Sequence, residues 1–128
     1  MFYLGIDVSK KTHRFAVLDS EGKRVTKSFS FQNTQQDFQK LLKQLKELDL
    51  SADNTFAGME ATGIFWENLY SFLTEAGYKV IVINPHQTNK FRQAMRKKAK
   101  TDDIDARVIA VLLRSGETAA SYVPEEKG

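Results

Sequence analysis

Apolar and polar positions alternate through FYLGIDVS. Phe2, Leu4, Ile6 and Val8 fall on one side, and Tyr3, Gly5, Asp7 and Ser9 on the other, which is the period of a strand. THRFAVLD reads as a second strand, and SEGK as a turn in which Gly22 is free to take a positive φ. RVTKSFSF is a third strand, with Val25, Phe29 and Phe31 on one face, so the first three strands predict an antiparallel meander. The period then changes. Phe38, Leu41, Leu42, Leu45 and Leu48 recur at helical spacing behind a cap at Asn33 or Thr34. TFAGME is a fourth strand ending at Glu60. Thr62 is expected to cap the next helix, which carries Phe65, Trp66, Leu69, Phe72 and Leu73 and stops at Gly77. YKVIVIN is a fifth strand whose continuous apolar run predicts burial on both faces, as in a parallel pairing. Asn84 and Pro85 open another helix as N-cap and first helical residue. A last helix runs from about Asp102 to Arg114, with Gly116 as its stop.

The resulting order, β-β-β-α-β-α-β-α-α, predicts an α/β domain: a mixed five-stranded sheet with helices on both faces. It is the order of the ribonuclease H-like fold, in which the fourth strand returns to pair in parallel beside the first. One domain over residues 2–116 accounts for the whole pattern. Residues 117–128, ETAASYVPEEKG, have no strong periodicity and are expected to be a linker or a severed end.

Composition narrows the classes. A chain of 128 residues with 41% hydrophobic and 27% charged residues suits one globular core. No apolar run approaches the length of a membrane span, and Asp7 interrupts the apolar start too early for a signal peptide, so no membrane partner is expected. The absence of cysteine excludes disulfides and thiolate metal sites and makes the cytoplasm the expected compartment. Net charge is +3, but its distribution is uneven. Between Asn84 and Thr101 there is no acid and there are six cations: Lys90, Arg92, Arg96, Lys97, Lys98 and Lys100. Removing these six from the net +3 leaves −3 for the rest, so one segment carries the whole basic excess. That concentration points to a polyanion, although a solvated helix face is the commoner use of a charge run.

Four carboxylates invite a joint reading. If the first strand lies beside the fourth, Asp7 and Glu60 both stand at the carboxyl edge of the sheet, where ligands of open α/β sheets gather. Asp102 and Asp105, three apart, project from one face of the last helix and join them if that helix crosses the same edge. Like charges so placed repel by roughly 4 kcal/mol per pair at about 4 Å under an effective dielectric near 20. A hard divalent ion relieves this, and an all-oxygen ligand set suits Mg²⁺ or Mn²⁺. Two such ions about 4 Å apart would clamp the attacking and leaving oxygens of a phosphoryl transfer. Taken singly, Asp102 and Asp105 are better explained as helix capping, and Glu60 is evenly balanced between solvent and site. Asp7, inside an apolar strand, is the hardest to explain without a partner. His13 is more often a packing residue than a ligand, Trp66 belongs with core aromatics, and Ser9 to Thr12 make a hairpin turn.

GIDVSKKTH, GMEATGIFWENL and VINPHQTNKFRQAMRKKAKTDDIDARVIA, in that order, resemble the N-terminal domain of the DEDD-type insertion-sequence transposases, the bridge-RNA-guided recombinases. The resemblance covers roughly residues 2 to 120 and keeps KTDxxDA intact. It implies a RuvC-like domain whose four acidic positions fall on Asp7, Glu60, Asp102 and Asp105, binding Mg²⁺ or Mn²⁺ as catalytic residues. It also implies DNA and a guide (bridge) RNA as partners, a homo-oligomeric full-length protein, and a prokaryotic, nucleoid-associated location when DNA is bound. In that family a second, C-terminal domain supplies a catalytic serine. No serine here matches its motif, so the chain is expected to be an excised or truncated piece, incomplete for full recombination. Three other readings remain: a non-catalytic guide-RNA- or DNA-binding assembly module, a stand-alone junction-resolvase-like nuclease, and a fragment of an actin-like sugar kinase, whose phosphate loop GIDVSKKTH loosely resembles.

Overall fold

The computed structural model describes residues 1–61, 63–96 and 104–116, with positions 87, 90, 91, 94–96, 104 and 105 described by their backbone alone. Asp102, Thr62, Lys97, Lys98, Lys100 and the expected linker 117–128 therefore lie outside the described residues.

Strands β1 (Phe2–Asp7), β2 (Thr12–Leu18) and β3 (Phe29–Gln32) form the expected meander. The turn between β2 and β3 is held by Asp19, whose carboxylate accepts from the Glu21 and Lys23 amides at 2.9 Å each, while Gly22 takes φ 85°. The third strand is shorter than the pattern predicts. Arg24 makes an isolated bridge to Leu18, and the chain bends before pairing resumes at Phe29.

Helix α1 (Gln35–Glu47) starts at Thr34, whose hydroxyl accepts from the Asp37 amide at 3.1 Å. Asp37 in turn accepts from the Gln32 amide at 2.6 Å, so both ends of the β3–α1 connection are fastened. Phe38, Leu41 and Leu45 bury its apolar stripe. β4 (Thr55–Glu60) follows, then α2 (Glu67–Glu75), β5 (Lys79–Ile83), α3 (Pro85–Arg96) and α4 (Ile104–Ser115). α2 begins later than the pattern predicts. Gly63 sits at φ 59°, in the left-handed region, so the right-handed helix starts only after it. The intervening turn is fixed by Trp66, whose indole N–H donates to the Gly63 carbonyl at 3.1 Å.

The sheet order is β3-β2-β1-β4-β5, with β1–β4 and β4–β5 parallel. This is the mixed sheet and ribonuclease H-like α/β arrangement the element order predicts. Strand alternation divides the core in two. Leu4, Ile6, Phe15, Met59, Val80 and Val82 pack with α1 and α2, whereas Ile81 and Ile83 pack with Ile109 and Leu113 of α4. β5 is thus apolar on both sides because helices cover both sides.

Candidate active site at the carboxyl edge

The parallel pairing of β1 and β4 runs Leu4 beside Ala57, Gly5 beside Gly58 and Ile6 beside Met59. One further step along both strands brings Asp7 level with Glu60. Equivalent positions of paired strands project to the same face, so both acids belong to the face that carries Tyr3, Gly5, Phe56 and Gly58, the one α4 covers. On that face the two glycines let the helix in. A Cβ at Gly5 would collide with the Ala106 carbonyl oxygen and lie 2.5 Å from the Ala110 amide nitrogen. At Gly58 it would meet the Leu113 side chain at 2.8 Å. The first turn of α4 is thereby laid over β1 just two residues before Asp7. Asp105, next to Ala106, comes to this edge by its backbone position.

Glu60 is 8% exposed. Its Oε2 accepts from Arg92 Nη2 at 2.8 Å and from the hydroxyl of Thr88, itself fully buried. Thr88 and Arg92 are four apart on α3 and so share a face. The single hydroxyl proton of Thr88 is also within reach of the Pro85 carbonyl at 3.0 Å, and the charged carboxylate is the stronger acceptor. α3 owes its position to Asn84, whose side chain caps the His86 amide at 2.8 Å directly after β5. Parallel pairing of β5 with β4 sets Ile83 beside Glu60, which brings the start of α3 over that carboxylate.

Arg92 is therefore engaged with an acid, beyond the phosphate-contact role its place in the basic run suggests. Thr88 is a site residue the sequence pattern does not single out. Its only signal there is the four-residue spacing to Arg92 on the helix that follows the strand next to β4. Lys90 and Arg96 belong to the same helix.

His13 stands apart from this edge cluster. It is fully buried on the α1 face, stacked with Phe38 at 6.3 Å between ring centroids, and its Nδ1 accepts from the Ser9 amide at 3.2 Å. Burial pushes its pKa below the ordinary value, with Asn33 opposing in part. Trp66 is likewise a core residue. Ser9 to Thr12 form the expected turn, tied to the β3–α1 connection through the Asn33 amide and the Lys11 carbonyl at 2.8 Å. A cleft of about 660 Å³ lined by Leu42, Lys46, Leu50 and Tyr78 lies by the start of β4, at the opposite edge of the sheet from the acids. Among the described residues no group of three or more His, Cys, Asp or Glu could hold a metal. Of the four candidate acids, Asp7 and Glu60 have described side chains; they stand level on paired strands, and carboxylate oxygens are the donor type a hard divalent ion takes. No helix among the described residues is long and apolar enough to cross a membrane.

The family model for IS110-type DEDD transposases, described as "Transposase", matches residues 4–127. A pilin gene-inverting protein of Moraxella bovis is 27% identical over 108 residues, covering 84% of this chain and 33% of that protein. The transposase for insertion sequence element IS1533 of Leptospira borgpetersenii is 32% identical over 113 residues, covering 88% of this chain and 31% of that protein. The chain thus spans about a third of the length of these curated relatives. Thermus thermophilus RuvC, solved in complex with a Holliday junction substrate, superposes with a TM-score of 0.64 at 14% identity, covering 92% of this chain and 98% of that one. A second Thermus thermophilus RuvC structure gives 0.63 at 16% identity. At these identities the likeness establishes the fold, RuvC-like within the ribonuclease H-like class.

Proposed function

The chain belongs to the IS110-type DEDD transposase family, and from that premise we propose that it is the metal-binding catalytic domain of a DNA transposase or recombinase. The reaction would be phosphoryl transfer on DNA. The observation that carries this reading is the register of β1 and β4, which brings Asp7 level with Glu60 at the carboxyl edge under the first turn of α4.

Asp7, Glu60, Asp102 and Asp105 would hold Mg²⁺ or Mn²⁺. When bound, such an ion supplies Lewis-acid polarisation of the scissile phosphate and stabilises negative charge developing there. The chain's own residues would do the rest. Thr88 would keep hold of the Glu60 carboxylate, which Arg92 contacts in the metal-free chain, and Gly5 and Gly58 let the first turn of α4 lie over the edge. The α3 cations and Lys97, Lys98 and Lys100 beyond them would contact phosphates of DNA or of a guide RNA. Such contacts position a polymer and carry little sequence information. The nucleophile would be a serine of a further domain, consistent with relatives of about three times this length. A homo-oligomer of the longer protein follows from the same family reading.

Heat denaturation with added metal tests the centre. Mg²⁺ or Mn²⁺ is expected to raise the melting temperature of the wild-type chain and leave Asp7→Ala unmoved. An equal rise in both would sink the reading. The Arg92–Glu60 pair favours one alternative, because it satisfies the carboxylate without any ion: a non-catalytic RNA-binding and assembly module. That alternative predicts RNA binding indifferent to metal and to Glu60→Gln.

A further inference from the structure

Arg92 lies on the segment that carries the basic excess, yet its guanidinium is turned onto Glu60, with the two side chains only 15% and 10% exposed. Thr88, one helical turn earlier, donates to the same Oε2. Neither contact falls on Oε1. A guanidinium and a divalent ion on one buried carboxylate are alternative counter-charges, and two cations a few ångströms apart in a partly buried site repel each other. Arg92 also has a second acceptor class open to it. A planar guanidinium suits a phosphate as well as a carboxylate, bidentately in both cases. A polyanion laid along α3 would present that phosphate.

We propose that Arg92 is an exchangeable counter-cation: it neutralises Glu60 while metal is absent and passes to a nucleic-acid phosphate when a divalent ion takes the carboxylate. The inference rests on the metal-centre reading above. Thr88 stays on Oε2 throughout and holds the carboxylate so that Oε1 faces the ion, the usual part of a residue that orients a ligand. Arg92 is thus a positioning residue that couples two ligands. Phosphate binding removes a cation that opposes the metal, and metal binding frees a cation for phosphate. By linkage each must tighten the other by the same factor.

The test is Mn²⁺ affinity of the whole chain at low ionic strength, read from the electron paramagnetic resonance signal of free Mn²⁺. Wild type, Arg92→Gln, Arg92→Lys and Asp7→Asn are compared without nucleic acid and then with a short DNA duplex. Without duplex, Arg92→Gln is expected to bind Mn²⁺ about tenfold tighter than wild type, because one opposing charge is gone. Arg92→Lys, which keeps the charge, is expected to stay near wild type. Adding duplex should tighten the wild type more than Arg92→Gln. Equal or weaker Mn²⁺ binding by Arg92→Gln, with wild type binding and Asp7→Asn not, overturns the exchange and leaves the metal centre standing. Equal binding by wild type and Asp7→Asn, or none by any chain, removes the metal centre and the exchange with it. Should Arg92→Gln not fold, the ¹⁵N-labelled guanidinium of the wild type gives the answer. Its hindered Nη–H signals should collapse on saturation with Mg²⁺ in the absence of duplex, where no phosphate replaces the carboxylate, and their persistence there would overturn the exchange.

Discussion

Gly5 has backbone of another element where its side chain would be. The Ala106 carbonyl that a Cβ would strike is part of a helix and cannot move aside, unlike the leucine ends that Gly58 faces. Gly5→Ala is therefore expected to destabilise the chain by about 3 kcal/mol or more, the upper range of overpacking. Gly58→Ala should cost less. Urea denaturation midpoints of the two variants check the order. His13 makes a prediction about pH. Its folded-state pKa is lowered from 6.5, chiefly by burial. Below that value the unfolded chain takes up the proton before the folded one does. Stability is then full above pH 6.5 and is lost as pH falls from there toward the folded value. His13→Gln is expected to remove that part of the pH dependence, which denaturation at about pH 7.5 and about pH 5.5 measures. A slope unchanged by the substitution would contradict the assignment. At this scale the sequence is readable where a residue breaks its local pattern: Asp7 within an apolar strand, Gly22 in a turn. It is not readable for Arg92, because nothing along the chain says which acid a cation on α3 will face. The partner is set by β5 pairing in parallel with β4, a contact between distant segments.

Helix α1 and strands β1, β2, β4 and β5 follow their periodicity almost residue for residue, since each buries the face its pattern marks. The two elements that depart do so for backbone reasons. α2 waits for Gly63 to complete a left-handed turn, and the third strand bends between Arg24 and Phe29. α3 has two occupations. Thr88 and Arg92 face the sheet edge, and the basic residues that continue past Arg96 extend the charge along the chain. If those residues track phosphates, replacing Lys97 and Lys98 with glutamine is expected to flatten the log–log salt dependence of duplex binding by about 1 to 2 units. An unchanged slope would assign the run to solvent.

On the scale of the molecule, the sheet order β3-β2-β1-β4-β5 converts a one-dimensional scatter of acids into neighbours. Asp7 and Glu60 are 53 positions apart in the chain and one step beyond a paired register in the sheet. The element order alone implies that juxtaposition, so this half of the candidate site is legible in the sequence. The backbone at Asp105 reaches this edge through the glycine-floored docking of α4, which depends on the absence of side chains and leaves only a faint trace in a hydropathy pattern. The central claim is that this edge is a divalent-cation centre. Paramagnetic broadening by substoichiometric Mn²⁺ in a ¹⁵N amide spectrum of the chain tests it most directly. A cation at the edge predicts selective loss of the Val8, Ala61 and Asp105 signals, with Leu50 and Ser51 at the opposite edge unaffected. Broadening centred on Asp49 to Asp53, or spread evenly over the chain, would contradict it.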